Sequence, residues 1–142
     1  MHQESIPAFA EGGCLCGAVR YRVSGAPRSS SVCHCRSCRL ASGAAAVAWV
    51  VFDDSHYELL SGHPARHRSS AKVWRSFCPR CGTPLNYHHD DEPATIELTT
   101  ATLDHPERFA PACEIWLEQR VAWQPVNPDI PHHRHGSSDA AI

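Results

Sequence analysis

Seven of the eight cysteines occur in closely spaced groups that could hold metal ions. Cysteines separated by a single residue, as at 14 and 16 and at 33 and 35, would form a strained loop as disulfides but chelate a metal easily. The spacing therefore predicts metal ligands and not a disulfide scaffold. The groups are Cys14 and Cys16, Cys33, Cys35 and Cys38, and Cys78 and Cys81.

The two cysteine pairs together supply the four ligands of a closed tetrahedral zinc site. Gly82, directly after the second pair, can adopt a positive φ angle that turns backbone N–H groups toward the sulfurs. A full set of four ligands leaves no position for a substrate. We therefore predict a structural zinc bound by Cys14, Cys16, Cys78 and Cys81.

The remaining group offers three sulfurs within six residues, and three protein ligands with an open fourth position are typical of catalytic zinc. Two arginines and a histidine lie in or beside this group, and positive charge favours thiolates. We therefore predict that Cys33, Cys35 and Cys38 bind a second, reactive zinc and form the catalytic site.

Other groupings of the ligands remain open from the spacing alone. Cys113 or His34 could close the second site and make both zincs structural, or Cys14 and Cys16 could join the group of three. Cys113 is expected to be a small buried hydrophobic residue. The four tryptophans are expected mainly in the core, with one or two lining a pocket above the three cysteines.

Short strands must position these ligands, because alternating and β-branched segments are separated by turn residues and no strand–helix–strand repeat occurs. Residues 28–31 are expected to be a polar link, and residues 39–46 one short helical turn. An all-β fold follows. The predicted strands are 16–23, 47–52, 57–60, 72–77, 85–87, 95–103 and 114–123.

The chain has 142 residues and a net charge of −2, which fits one domain and disfavours nucleic-acid binding. It lacks the run of about 18 apolar residues that a membrane-spanning helix needs. Residues 1–13 do not resemble a secretory signal, so a cytoplasmic location is expected. We predict a flexible segment at 1–11, a zinc domain at 12–124 and a mobile tail rich in Pro, His and Ser at 125–142.

The motifs resemble those of the glutathione-dependent formaldehyde-activating enzyme family, whose domain is shared with centromere protein V. The matching stretches are GGCLCGAV at 12–19, CHCRSC at 33–38, FCPRCGT at 77–83, EIW at 114–116 and Trp123. They cover nearly the whole predicted domain. Glu114 departs from the pattern, since some members have a histidine there.

This resemblance implies a zinc-bound fold of coiled antiparallel sheets, sometimes called a β-tent. It implies the same division of ligands, with Cys33, Cys35 and Cys38 at the active site. The implied reaction is carbon–sulfur lyase chemistry that joins glutathione and formaldehyde as S-hydroxymethylglutathione. The expected partners are a small thiol such as glutathione and a small aldehyde. The alternative is a non-enzymatic zinc module, or a thiol or formaldehyde-stress sensor, with two structural zincs.

Overall fold

The computed structural model describes residues 9–138 and 141. Residues 1–8, 139, 140 and 142, which belong to the predicted flexible segment 1–11 and tail 125–142, lie outside the described residues. The strands are β1 (Phe9–Gly13), β2 (Arg20–Ser24), β3 (Ser29–Cys33), β4 (Val47–Asp53), β5 (Tyr57–Ser61), β6 (Ala65–Ser70), β7 (Val73–Phe77), β8 (Pro84–His89), β9 (Thr95–Thr99) and β10 (Glu114–Ile115). The helix α1 spans Arg36–Ser42.

These strands form two sheets. The smaller sheet has the order β1-β2-β5, and the larger has the order β10-β3-β4-β9-β8-β7-β6. All pairings are antiparallel except the short parallel one between β10 and β3. The predicted all-β fold with only short helical segments is confirmed, since α1 has seven residues.

The hydrophobic core lies between the two sheets. Val50 and Phe52 of β4 pair with Leu98 and Ile96 of β9 and are almost completely buried. In the smaller sheet, β2 contributes Tyr21 and Val23, and the turn between β1 and β2 contributes Val19. Burial of each large apolar side chain stabilises the fold by about 1.5–3 kcal/mol. This core fixes one face of β4 and β9, so the alternate residues of these strands face away from it.

The opposite face of the larger sheet carries polar and aromatic side chains. Arg75 of β7 lies directly opposite Tyr87 of β8, and Tyr87 lies directly opposite Glu97 of β9. Residues paired in this way project from the same face of a sheet. The three side chains therefore form one row, and α1 and the segment after β10 flank this face.

Several predicted strands are confirmed, but three strands were not predicted. Residues 29–31 of the segment 28–31, expected to be a polar link, belong to β3, and β1 and β6 were missed. All three are rich in polar or small residues and gain their stability from backbone pairing with neighbouring strands. The prediction of a strand at 114–123 is wrong beyond Ile115, because Trp116 has a left-handed φ of 57° and a 3-10 turn follows at Leu117–Gln119.

The helix begins three residues before the predicted helical turn at 39–46. The side chain of Cys35 accepts a hydrogen bond from the Cys38 N–H and caps the first turn. Gly43, with a φ of 73°, ends the helix. A predicted metal ligand therefore also sets the start of α1.

The segment 131–135 runs alongside β10. The Glu114 N–H donates to the Pro131 carbonyl at 2.9 Å, and the Trp116 N–H donates to the His135 carbonyl at 2.8 Å. The division into 1–11, 12–124 and 125–142, including a mobile tail, stays a prediction. Among the described residues, no helix has the length and apolar character needed to cross a membrane.

Candidate metal centres

Two similar turns bring four cysteine sulfurs together. The Gly17 N–H donates to the Cys14 carbonyl at 3.1 Å, and the Gly82 N–H donates to the Cys78 carbonyl at 2.8 Å. Both glycines have φ angles near 80°, which favour glycine over residues with a side chain. Each cysteine pair thus ends in a turn closed by a glycine, over three residues at the first pair and over four at the second. The four-sulfur cluster consists of Cys14, Cys16, Cys78 and Cys81.

The spacing of this four-sulfur cluster fits zinc. Its ligand atoms all lie within 4.8 Å of one another, with Cys14 Sγ 3.6 Å from Cys16 Sγ and Cys16 Sγ 3.8 Å from Cys78 Sγ. Four sulfurs placed about 2.3 Å from a tetrahedral zinc are separated by about 3.8 Å. The four sulfur atoms could therefore hold a zinc ion.

Hydrogen bonds around the four-sulfur cluster favour thiolates. The Val19 N–H donates to Cys14 Sγ at 3.2 Å. The Thr83 hydroxyl, 3.2 Å from Cys81 Sγ, and the Thr83 N–H lower the pKa of Cys81 to about 5. Since the first pair follows β1 and the second follows β7, an ion here would join the smaller sheet to the larger one.

The second cluster lies at the end of β3 and the start of α1. Its members, Cys33, Cys35 and Cys38, have their sulfurs within 4.8 Å of one another. Cys33 and Cys38 are buried and Cys35 is partly exposed. Hydrogen bonds with the Cys33 and Cys38 thiols, assisted by the charge of Arg75, lower the pKa of Cys35. We call this group the three-sulfur cluster.

The structure places neither His34 nor Cys113 with the three-sulfur cluster. His34 is fully buried, and its Nε2 lies 2.5 Å from Glu114 Oε1. Its Nδ1 has no hydrogen-bond partner among the described residues, so the tautomer with hydrogen on Nε2 fits the site. Cys113 is buried, with Sγ 3.7 Å from the Ser30 carbonyl oxygen. The three-sulfur cluster thus lacks a fourth ligand among the described His, Cys, Asp and Glu residues.

A cavity of about 320 Å³ opens onto the three sulfurs, a volume within the usual range for small-molecule sites. Trp49, Tyr87 and Trp116 line it, so two of the four tryptophans lie where the sequence suggested. Trp116 is held in its left-handed conformation beside His135, with the ring centroids 5.0 Å apart. Left-handed backbone in a bulky residue is strained and often accompanies a functional site.

Two charged cavity residues, Arg75 and Glu97, were missed from the sequence. Arg75 Nη1 and Nη2 donate to Cys38 Sγ at 3.6 and 3.7 Å, and its guanidinium lies over the Tyr87 ring. Glu97 lies across the sheet from Tyr87 and lines the same cavity. The alternation of Glu97 with the apolar Ile96 and Leu98 could have placed it on the face opposite the core.

Comparisons with known proteins show which family the chain belongs to. The profile of the family described as glutathione-dependent formaldehyde-activating enzyme matches residues 9–119. A protein from Halomonas elongata with the name "Putative glutathione-dependent formaldehyde-activating enzyme" is 30% identical, over 80% of this chain and 78% of that protein.

A crystal structure of a Rhodobacter sphaeroides protein shares the fold with a TM-score of 0.57 and 21% sequence identity. The match covers 66% of this chain and 87% of the Rhodobacter chain. The family profile spans both cysteine clusters and the cavity between the sheet and α1. The chain therefore belongs to the glutathione-dependent formaldehyde-activating enzyme family.

Proposed function

We propose that this chain is a zinc-dependent carbon–sulfur lyase that acts on adducts of a small thiol, such as glutathione, and formaldehyde. The observation that carries the proposal is the cavity that opens onto the three-sulfur cluster. The choice of thiol and aldehyde is supported by the family description and by the name of the Halomonas relative.

In this proposal the two clusters have different roles. Cys33, Cys35 and Cys38 hold the reactive zinc, and Cys14, Cys16, Cys78 and Cys81 hold a structural zinc. A zinc with an open position supplies Lewis acidity that favours the ionised form of a nearby thiol. Arg75 supports this chemistry because it donates hydrogen bonds to Cys38 Sγ and stabilises the thiolate form of that ligand.

The proposed reaction joins two substrates without an oxidant or reductant. The S–H bond of the thiol breaks, a C–S bond forms, the C=O π electron pair moves to oxygen, and that oxygen receives a proton. The aromatic side chains Trp49, Tyr87 and Trp116 hold the aldehyde close to the sulfur and limit the access of water. The lyase reaction is the reverse of these steps.

We also infer a cytoplasmic location, because two clusters of reduced cysteines are expected where disulfides do not form. The same reducing conditions keep low-molecular-weight thiols available as substrates.

The direct test measures formaldehyde consumption by the zinc-loaded protein with glutathione and several other small thiols, against the spontaneous rate. We expect acceleration with at least one thiol and its loss in Cys35→Ser. Cys113→Ser is the matched control, because Cys113 lies outside both clusters, and it should retain activity. A wild-type rate equal to the spontaneous rate with every thiol would rule out the lyase.

Metal analysis distinguishes the lyase from a purely structural zinc module. The proposal predicts two zincs per chain, one bound by four sulfurs and one by three sulfurs and a lighter atom. X-ray absorption spectra that show four sulfurs around both ions would favour the structural module instead.

A further inference from the structure

Glu97 is an acidic side chain in the wall of the cavity that contains the three-sulfur cluster, and the lyase proposal leaves it without a role. It lies in the middle of β9, between Ile96 and Leu98, which are completely buried on the core side. Strand alternation directs Glu97 to the opposite face, where it lines the cavity. The sheet therefore presents a carboxyl group to any molecule that occupies the cavity.

No residue in the described part of the chain forms a hydrogen bond or ion pair with the Glu97 carboxyl group. Arg75 belongs to the same row and could in principle pair with Glu97, but its N–H groups donate to other residues. Its Nε donates to Ser69 Oγ at 3.1 Å, and its Nη atoms donate to Cys38 Sγ. The Glu97 side chain is only partly buried, so a molecule in the cavity can reach its carboxyl group. Glu97 is therefore available to a bound molecule.

The surroundings of Glu97 give its carboxyl group a higher proton affinity than an ordinary glutamate. Burial, assisted by the negative charge of Glu92, raises the pKa of Glu97 to about 7, and the charge of Arg75 opposes the shift. Tyr87 stays neutral, because burial raises its pKa to about 12. The titratable and charged groups around this cavity and beside Glu97 are Arg75 of β7, Tyr87 of β8, Glu92 of the turn before β9, Cys33 of β3, Cys35, and Cys38 of α1.

We propose that Glu97 accepts the proton of the substrate thiol and returns it to the aldehyde oxygen. This inference rests on the proposed lyase function. The thiol S–H bond breaks and its proton binds the Glu97 carboxylate, while the sulfur forms a bond to the aldehyde carbon. The C=O π electron pair moves to oxygen, which takes the proton from Glu97 and becomes the hydroxyl group. The carboxylate is regenerated and no other reactant is needed.

The pH dependence follows from the form of Glu97 that starts the reaction. Only the carboxylate can accept a proton, so kcat/KM should fall as the pH decreases through about 7. A base whose pKa lies near the working pH is also well suited to give the proton back. Removal of this group by Glu97→Gln should remove that pH dependence.

The kinetic test compares the zinc-loaded Glu97→Gln and Glu97→Asp variants with wild type. We expect Glu97→Gln to lower kcat/KM about 100-fold or more, as for the loss of a general base, and Glu97→Asp to retain part of the rate. Glu58→Gln is the matched control, because Glu58 is exposed on β5 in the other sheet. A higher KM with unchanged kcat and pH profile would mean that Glu97 only binds a positive group of the substrate, and would overturn the proposal.

A second measurement needs no turnover. Calorimetry of glutathione binding in buffers with different ionisation enthalpies counts the protons released to solvent. At pH 7.5, Glu97 is mostly a carboxylate and a free thiol with a pKa of about 8.5 is mostly protonated. The negative charge of the bound thiolate should raise the pKa of Glu97 further and keep the proton there, so wild type should release fewer protons to solvent than Glu97→Gln. Glu97→Gln should release about one proton per bound thiol.

The two measurements separate the two proposals. A wild-type protein that binds glutathione but does not accelerate the reaction refutes the lyase and the proton return to the aldehyde, while proton release still shows whether Glu97 accepts the thiol proton. Equal proton release by wild type and Glu97→Gln refutes the role of Glu97 even if the lyase is active. A wild-type protein that binds no thiol overturns both proposals.

Discussion

The two cysteine clusters use the same ligand atom in different surroundings. The four-sulfur cluster lies where two turns meet, and its sulfurs contact backbone N–H groups and the Thr83 hydroxyl. The three-sulfur cluster lies beside a cavity and contacts the guanidinium of Arg75. Both have the sulfur spacing of a metal site, but within the described part of the chain only the second accepts hydrogen bonds from a charged side chain, that of Arg75.

This difference shows where reactivity would come from. Local turns fix the positions of the sulfurs in both clusters, and these turns are encoded within a few residues of each cysteine. The groups that would act on a substrate, Arg75 and Glu97, come from β7 and β9, far along the chain from the three cysteines. Both sites need the assembled fold, but the reactive one also needs side chains that the larger sheet directs into its cavity.

The largest effect is expected for Cys78→Ser in the four-sulfur cluster. Loss of one ligand should release the zinc that we propose to join the two sheets, and structural zinc sites contribute on the order of 10 kcal/mol to folding. This exceeds the total stability of many domains. We expect an unfolded or strongly destabilised protein, measured by circular dichroism and thermal unfolding in the presence of zinc.

Cys35→Ser provides the matched substitution in the three-sulfur cluster. The core between the sheets does not include these cysteines, so the fold should persist while the zinc content falls from two to one per chain. Equal unfolding of the Cys35→Ser and Cys78→Ser variants would show that the two clusters do not differ in role.

A smaller loss of stability is expected for Glu114→Ala, which removes the buried partner of His34. The His34 ring and the Asn127 N–H both contact the Glu114 carboxyl group. An unpaired buried polar group costs about 1–3 kcal/mol. The midpoint of urea unfolding should therefore decrease, and Glu114→Gln, which can still accept the His34 hydrogen bond, should recover part of the loss. An unchanged midpoint in both variants would mean that the His34–Glu114 pair does not stabilise the segment 33–35.

The cysteine spacing indicated two pairs and a group of three, because the cysteines within each of these lie within six residues of one another. That Cys14 and Cys16 meet Cys78 and Cys81 depends on the fold, and the spacing alone left other groupings open. The strand at 47–52 was also predictable, since its apolar run reflects burial in the core. By contrast, β3 has the sequence SSSVC, whose polar residues resemble a loop. Its strand conformation depends on pairing with β4 and β10, and no local sequence pattern indicates this pairing.

The end of β10 and the cavity wall were not predictable for a similar reason. Trp116 adopts a positive φ angle although it is not glycine, so its residue type does not indicate that the strand ends there. Its neighbour in space, His135, belongs to the segment expected to be a mobile tail. Likewise, Arg75 and Tyr87 are identified as cavity residues only from the register of β7 and β8.

Arg75→Met tests the contribution of the sheet to the three-sulfur cluster. Methionine keeps much of the side-chain volume but donates no hydrogen bond to Cys38 Sγ. Loss of a group that hydrogen-bonds to a metal ligand typically weakens metal affinity about 10–100-fold. Zinc competition with a chromophoric chelator should show weaker binding of one zinc only. An equal loss at both sites, or none, would contradict the assignment of Arg75 to this cluster.

The smallest effect is expected for Asp104→Asn. This variant tests how much a surface ion pair near the four-sulfur cluster contributes to the stability of the fold. Arg20, just after the first cysteine pair, donates to both carboxylate oxygens of Asp104, at 2.9 and 2.6 Å. These hydrogen bonds and the charge of Arg20 lower the pKa of Asp104, so the pair stabilises the fold above the ordinary aspartate pKa of about 3.9. Because the pair is partly exposed, the loss at pH 7 should be at most about 1 kcal/mol in urea unfolding. The difference in unfolding free energy between wild type and Asp104→Asn should become smaller as the pH falls below 4. Asp104 then becomes protonated, and the stability that comes from its lowered pKa is lost. A loss at pH 7 comparable to that of Cys78→Ser would mean that this ion pair, and not the metal, joins the two sheets.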